Sequence, residues 1–117
     1  MAEPTTRFTP RYRLIVFDWD GTLADSTAII ADALQRACRD VGEPTPDALA
    51  ARYVIGLGMP DALRHVAPGL PHERYADLAM RYREHYLARD GDIALFAGVP
   101  AMLEELVGAG FMLAVAT

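Results

Sequence analysis

Two apolar runs in this chain stop on chemistry. "YRLIVF" at 12–17 is followed at once by "DWDG", and "FMLAVAT" at 111–117 closes on a threonine. Runs of this kind, rich in β-formers and lacking polar alternation, read as strands buried on both faces. Such strands belong to parallel sheets, where each strand must be joined to the next by a crossover. The segment before the second run supplies one. Pro100 opens a helix that carries Met102, Leu103 and Leu106 to about Val107, and Gly108 and Gly110 end it. The expected class is therefore α/β, and 117 residues allow one small domain.

The stretch between the two strands is too long for a simple connection. Ser26 is placed to cap a helix whose stripe is Ile30, Leu34, Ala37 and Val41, with Gly42 at its end. Thr45 and Pro46 mark the start of a short helix over about 46–54, and "IGLGMP" at 55–60 reads as a flexible joint. Pro60 opens another short helix to about residue 65, and "APGLP" at 67–71 is a turn. Over 72–89 the stripe Tyr75, Leu78, Tyr82 and Tyr86 marks a longer helix, which "RDGD" stops. "IALFAGVP" at 93–100 is a short extended return. The pattern predicts a helical unit inserted after the first strand, with its two helical stripes facing each other. The expected division is core at 1–24, helical cap at 25–92 and core again at 93–117, with residues 1–11 as a loose polar tail.

Net charge is −5, which gives no basis for a nucleic-acid surface. All 11 basic residues are arginines. Cys38 is the single cysteine, so no intrachain disulfide can form, in keeping with a cytoplasmic protein. The apolar run ends at Asp18, too early for a signal core or a membrane span.

Asp18 and Asp20 are two apart, so on extended backbone both side chains face one way, at the carboxyl end of a parallel strand where ligands bind. Carboxylates about 5 Å apart repel by roughly 3 kcal/mol at an effective dielectric near 20, or about 2 pK units. Either a cation sits between them or one keeps a proton, and both outcomes are chemically useful. Gly21 permits a close turn, and Thr22 adds a hydroxyl. The plain alternative is a turn after a strand, for which Asp, Gly and Thr are ordinary residues. A calcium loop starting at Asp18 fails, because Leu23 and Ile29 stand where it needs Gly and Glu. A glycosidase pair fails too, since those carboxylates lie further apart, normally on separate elements.

The complete string "FDWDGTLADS" resembles the first motif of the haloacid dehalogenase (HAD) superfamily, most closely its phosphoglycolate-phosphatase-like branch with a helical cap. The stretch "LFAGVPAMLEELVGAGFMLAVAT" also resembles that branch, so the likeness spans residues 12–117. It implies a HAD-like Rossmannoid parallel sheet, with its first two core strands present, and an inserted α-helical cap. It implies that Asp18 is the nucleophile and Asp20 the general acid and then base. It implies that Mg²⁺ is held by the Asp18 carboxylate and the Asp20 main-chain carbonyl, and that the Thr117 hydroxyl binds phosphoryl oxygens. An acid at position 20 points to phosphate esters rather than halides, since an alkoxide leaving group needs a proton. The expected activity is Mg²⁺-dependent hydrolysis of a small phosphorylated metabolite, phosphoglycolate being the first candidate. The alternatives are a phosphosugar mutase of the β-phosphoglucomutase kind and a non-catalytic binding module.

Such proteins continue for about another hundred residues, and their lysine and further acidic pair have no counterpart in 1–117. The expectation is an N-terminal portion, inactive alone and prone to self-association through an open sheet edge. Relatives with this cap place a substrate-selecting loop where Gly56, Leu57 and Gly58 stand, and Arg52 or Arg64 could meet an acidic substrate there; solvated arginines are the ordinary reading. Asp25 reads as a first-turn acid of the following helix. Trp19 should point away from the acids, into packing. His65, His72 and His85 lack metal spacing.

Overall fold

The computed structural model describes residues 9–117; the expected N-terminal tail falls largely outside them. The order is β1 (Leu14–Asp18), β2 (Ala24–Asp25), α1 (Thr27–Asp40), α2 (Ala48–Tyr53), α3 (Met59–Val66), α4 (Tyr75–Arg89), β3 (Ala94–Leu95), α5 (Val99–Gly108) and β4 (Met112–Ala116). Short 3₁₀ turns at His72–Arg74 and Asp90–Asp92 bracket α4. β1 and β4 are parallel, in a register that pairs Leu14 with Met112 and Asp18 with Ala116. This is the expected α/β class with a parallel sheet.

The helical unit has its own core. Leu34, Ala37, Cys38, Val54, Leu63 and Leu78 are all buried, and Leu78 is fully so. The predicted stripes meet: Ile30, Leu34 and Ala37 of α1, with Val41 at its C-cap, form one cluster with Leu78, and Tyr75, Tyr82 and Tyr86 of α4 pack against it. Burying each large aliphatic side chain favours the fold by about 1.5–3 kcal/mol, which outweighs the weak intrinsic preference of such short helices. Polar side chains tie the helices across their ends. Tyr75 Oη donates to the Ala67 carbonyl at 2.7 Å, and Arg74 Nη1 donates to the Val41 carbonyl at 3.1 Å. The segments that enter and leave this unit pair antiparallel as β2 and β3, Ala24 opposite Leu95 and Asp25 opposite Ala94.

Several local expectations are corrected. β1 is not buried on both faces: Leu14 and Val16 are 49% and 54% exposed, as is Met112 beside them at 61%, while Ile15 and Phe17 are half-buried. Phe17 and Leu113 share an apolar hollow with Trp19 and with Leu103 of α5, so one sheet face is covered and the other is bare among the described residues. Asp25 lies in β2 and not in the first turn of α1. Asp47 caps α2, its carboxylate accepting from the Ala50 amide at 2.7 Å, where Thr45 and Pro46 were expected to open the helix. The helix begins at Ala48, so Asp47 holds the N-cap position, where aspartate ranks above threonine. Ser26 precedes α1, yet its hydroxyl makes no cap bond.

Candidate active site

Asp18 is the last residue of β1, and the chain turns back on itself immediately after it. The Trp19 carbonyl collects the amides of Thr22, Leu23 and Ala24 at 3.0–3.2 Å, while the Gly21 amide donates to the Ala24 carbonyl at 2.9 Å. Gly21 adopts φ +76°, and a Cβ there would stand 3.1 Å from Thr27 Cγ2. Both the left-handed backbone and the contact favour glycine. This turn holds the two acids at one end of the sheet and sends the Trp19 ring into the hollow on the covered face, as expected.

Each acid has one oxygen engaged. The Trp19 amide donates to Asp18 Oδ1 at 2.9 Å, and Ser26 Oγ donates to Asp20 Oδ1 at 2.7 Å. Ser26 is completely buried, so its hydroxyl is a fixed donor. That explains the missing helix cap: the side chain that would have turned to α1 faces the acid. Among the described residues no donor engages the other oxygen of either carboxylate. β4 delivers Thr117 directly beyond Ala116, the partner of Asp18 in the ladder.

Asp18, Asp20 and Thr117 line one side of an open cleft of about 510 Å³. Ile55, Gly56 and Leu57, from the joint between α2 and α3, line the other. The structure therefore gathers five of the expected residues: Asp18, Asp20, Thr117, Gly56 and Leu57. It leaves out three. Gly58 sits past the cleft as the N-cap of α3. Arg64 is exposed and turned to Asp61 Oδ1 at 3.2 Å and to the Pro60 carbonyl. Arg52 is exposed in the last turn of α2, outside the cleft lining.

Ile55 was not expected at the site, though its place next to "GLG" marks it in retrospect. Neither was Tyr82, which lines a smaller cavity together with Asp20. Burial, then Tyr86 and the Asp20 charge, push the Tyr82 phenol up to about 12, so it remains a hydrogen-bond donor at neutral pH. A stripe position on a packed helix gave no signal that one of its tyrosines looks toward the acids.

The donor set suits a hard cation. It comprises the Asp18 carboxylate and the Asp20 main-chain carbonyl, which no donor among the described residues engages. Mg²⁺ binds through one or two protein oxygens, completing its shell with water and substrate phosphate. Among the described residues no group of three or more His, Cys, Asp or Glu side chains adds to that set.

Comparison with known proteins agrees with this geometry. The sequence model described as haloacid dehalogenase-like hydrolase matches residues 15–117. Tyrosine-protein kinase PtkA of Mycobacterium tuberculosis is 36% identical over 106 residues, covering 90% of this chain and 35% of that protein. A phosphoglycolate phosphatase of Aquifex aeolicus is 37% identical over 106 residues, covering 88% of this chain and 47% of that protein. A solved haloacid dehalogenase-like hydrolase from Streptococcus pneumoniae superposes with a TM-score of 0.76 at 28% identity, over 88% of this chain and 48% of that one. The chain thus spans about a third to a half of the length of these relatives. With the match running from β1 through the helical unit to Thr117, the chain belongs to the haloacid dehalogenase-like hydrolase family.

Proposed function

We propose that the natural gene product carrying residues 1–117 hydrolyses a small phosphate monoester, a cytoplasmic metabolite, through a phosphoaspartyl intermediate. The observation that carries this reading is the convergence of Asp18, Asp20 and Thr117 on one cleft that the helical unit overhangs. Asp18 Oδ1 is held by the Trp19 amide, so Oδ2 is the oxygen free to attack phosphorus. The new bond forms as the ester P–O bond breaks. Asp20 Oδ2, opposite the oxygen that Ser26 holds, carries the proton delivered to the departing alkoxide. The resulting Asp20 carboxylate then takes a proton from water, which attacks the phosphoaspartate and returns Asp18 with release of phosphate. The Thr117 hydroxyl donates to a non-bridging phosphoryl oxygen. The Asp18 carboxylate and the Asp20 main-chain carbonyl would hold Mg²⁺, which would supply positive charge against the phosphoryl group in a reaction that positioning and electrostatics carry. In this reading residues 25–92 act as a cap hinged on β2 and β3, closing to exclude water.

Phosphoglycolate is one substrate to test, because relatives bear that name. A second reading is transfer of the phosphoryl group to a hydroxyl instead of water, as in a mutase; one relative bears the name tyrosine-protein kinase. The test uses Asp18→Asn and Asp20→Asn with aryl and alkyl phosphates. Asp18→Asn should abolish phosphate release from both. Asp20→Asn should slow alkyl esters more than aryl esters, whose leaving groups need less protonation. Activity of Asp18→Asn within about tenfold of the unaltered protein would refute the nucleophile assignment, since losing a transition-state partner alone costs about a hundredfold. Phosphotyrosine in place of free phosphate would favour the second reading.

A further inference from the structure

Behind the cleft lies a smaller cavity of about 140 Å³. The two are continuous in their walls: Asp20, Ile55, Gly56 and Leu57 line both. The smaller one reaches into the helical unit, where Ile30 and Leu34 of α1, Val54, and Met59 of α3 form its apolar sides. Two of its lining residues carry polar side chains, Asp20 at the mouth and Tyr82. We propose that this cavity is the leaving-group subsite, and that it takes an uncharged, largely aliphatic alcohol moiety able to accept one hydrogen bond from Tyr82. The inference rests on Asp18 and Asp20 being the phosphoryl-transfer pair, for then the ester oxygen lies at Asp20 and its substituent extends past Asp20 into the space beyond.

The chemistry of the walls argues for that class. A carboxylate on the leaving group would give up its water among Ile30, Leu34, Val54 and Met59, which is costly for an ion without a partner. The nearby arginines face elsewhere. Arg64 is spent on Asp61, and Arg83 lines a separate outer groove across Met59 and Tyr82 from the cavity. An alcohol with a short apolar body has no such penalty, and a hydroxyl or ether oxygen on it can accept from the Tyr82 phenol, which stays protonated. The volume admits a handful of non-hydrogen atoms. Ile55, Leu57 and Tyr82 are then specificity-determining residues.

The experiment compares binding and turnover in the natural gene product. Dissociation constants are measured for propylphosphonate and for phosphonoacetate, two inert mimics of similar size that differ in the carboxylate. Rates are measured in parallel for propyl phosphate and 2-phosphoglycolate. Propylphosphonate should bind at least about tenfold tighter, the scale on which a small mismatch in a closed pocket is read. Ile55→Arg, checked for folding by its thermal transition, should narrow or reverse that preference, and Tyr82→Phe should weaken esters bearing an ether oxygen while sparing propyl phosphate. Equal or tighter binding of phosphonoacetate, or binding of neither mimic, would overturn the assignment. Selective binding of the neutral mimic without hydrolysis of either ester would support the cavity assignment and count against the hydrolase reading.

Discussion

Replacing Ser26 separates two roles that the same residue could play. If its hydroxyl capped α1, aspartate would serve equally well or better, and Ser26→Asp would leave stability nearly unchanged. The structure gives the opposite expectation. Ser26 is fully buried and its Oγ lies 2.7 Å from Asp20 Oδ1. An introduced carboxylate would stand within about 4 Å of the Asp20 carboxylate, where two like charges repel by about 4 kcal/mol at an effective dielectric near 20. The pair can escape by binding a proton, but holding one at pH 7 on a group with an ordinary value near 4 costs about the same. Ser26→Asp should therefore lower the unfolding free energy by about 3–4 kcal/mol at pH 7. The sign with pH follows: the folded variant binds more protons than its unfolded chain, so the loss shrinks as pH falls and should be about 1–2 kcal/mol near pH 5. Ser26→Ala removes only the donor and should cost about 1–2 kcal/mol, with little pH dependence. Urea denaturation of the three proteins at both pH values reads these differences. Ser26→Asp as stable as the unaltered protein at pH 7 would refute the buried Ser26–Asp20 contact.

Leu78→Ala in α4 empties a site that is 0% exposed and should destabilise the helical unit by about 3 kcal/mol, measured by chemical denaturation. The Asp40 carboxyl is held below the ordinary carboxylate range, first by its hydrogen bond with His85, against a smaller opposing effect of burial, with the positive charge of His85, Arg81 and Arg39 adding to the lowering. Its contribution is therefore complete above that range and disappears as pH falls through the lowered value. The difference in Tm between the unaltered protein and Asp40→Asn should be present at neutral pH and should shrink as pH falls below the ordinary carboxylate range.

Much of the fold was legible because it rests on periodicity. The apolar runs at 12–17 and 111–117 became the paired strands, and the stripes through Leu34 and Leu78 met in one core. What stayed hidden depends on three-dimensional neighbours. Leu14 and Val16 look as buried in sequence as Ile15 and Phe17, because which strand face is covered depends on α5 and on nothing local. Ser26 carries the signature of a cap, and only the folded-back turn at Gly21 shows that Asp20 claims its hydroxyl. Asp18, Asp20 and Thr117 were readable from motif and strand ends, and the cleft brings them together. Arg52 and Arg64 were chosen for their charge beside the expected loop at 56–58. Helix phase turns Arg64 to Asp61 one turn earlier and leaves both arginines outside the cleft. Tyr82 was read as packing, which it is, yet its position on α4 also carries it to the cavity beside Asp20.

The central claim is that Asp18 is the residue that takes the phosphoryl group. The most direct measurement is an acid quench of the natural gene product during turnover of an aryl phosphate with Mg²⁺ present, followed by mass spectrometry of the peptide spanning 14–25. A phosphoryl adduct should appear on Asp18, persist longer in Asp20→Asn, where water is no longer activated, and be absent from Asp18→Asn. Phosphate release with no adduct on Asp18, or an adduct that survives in Asp18→Asn, would contradict the account.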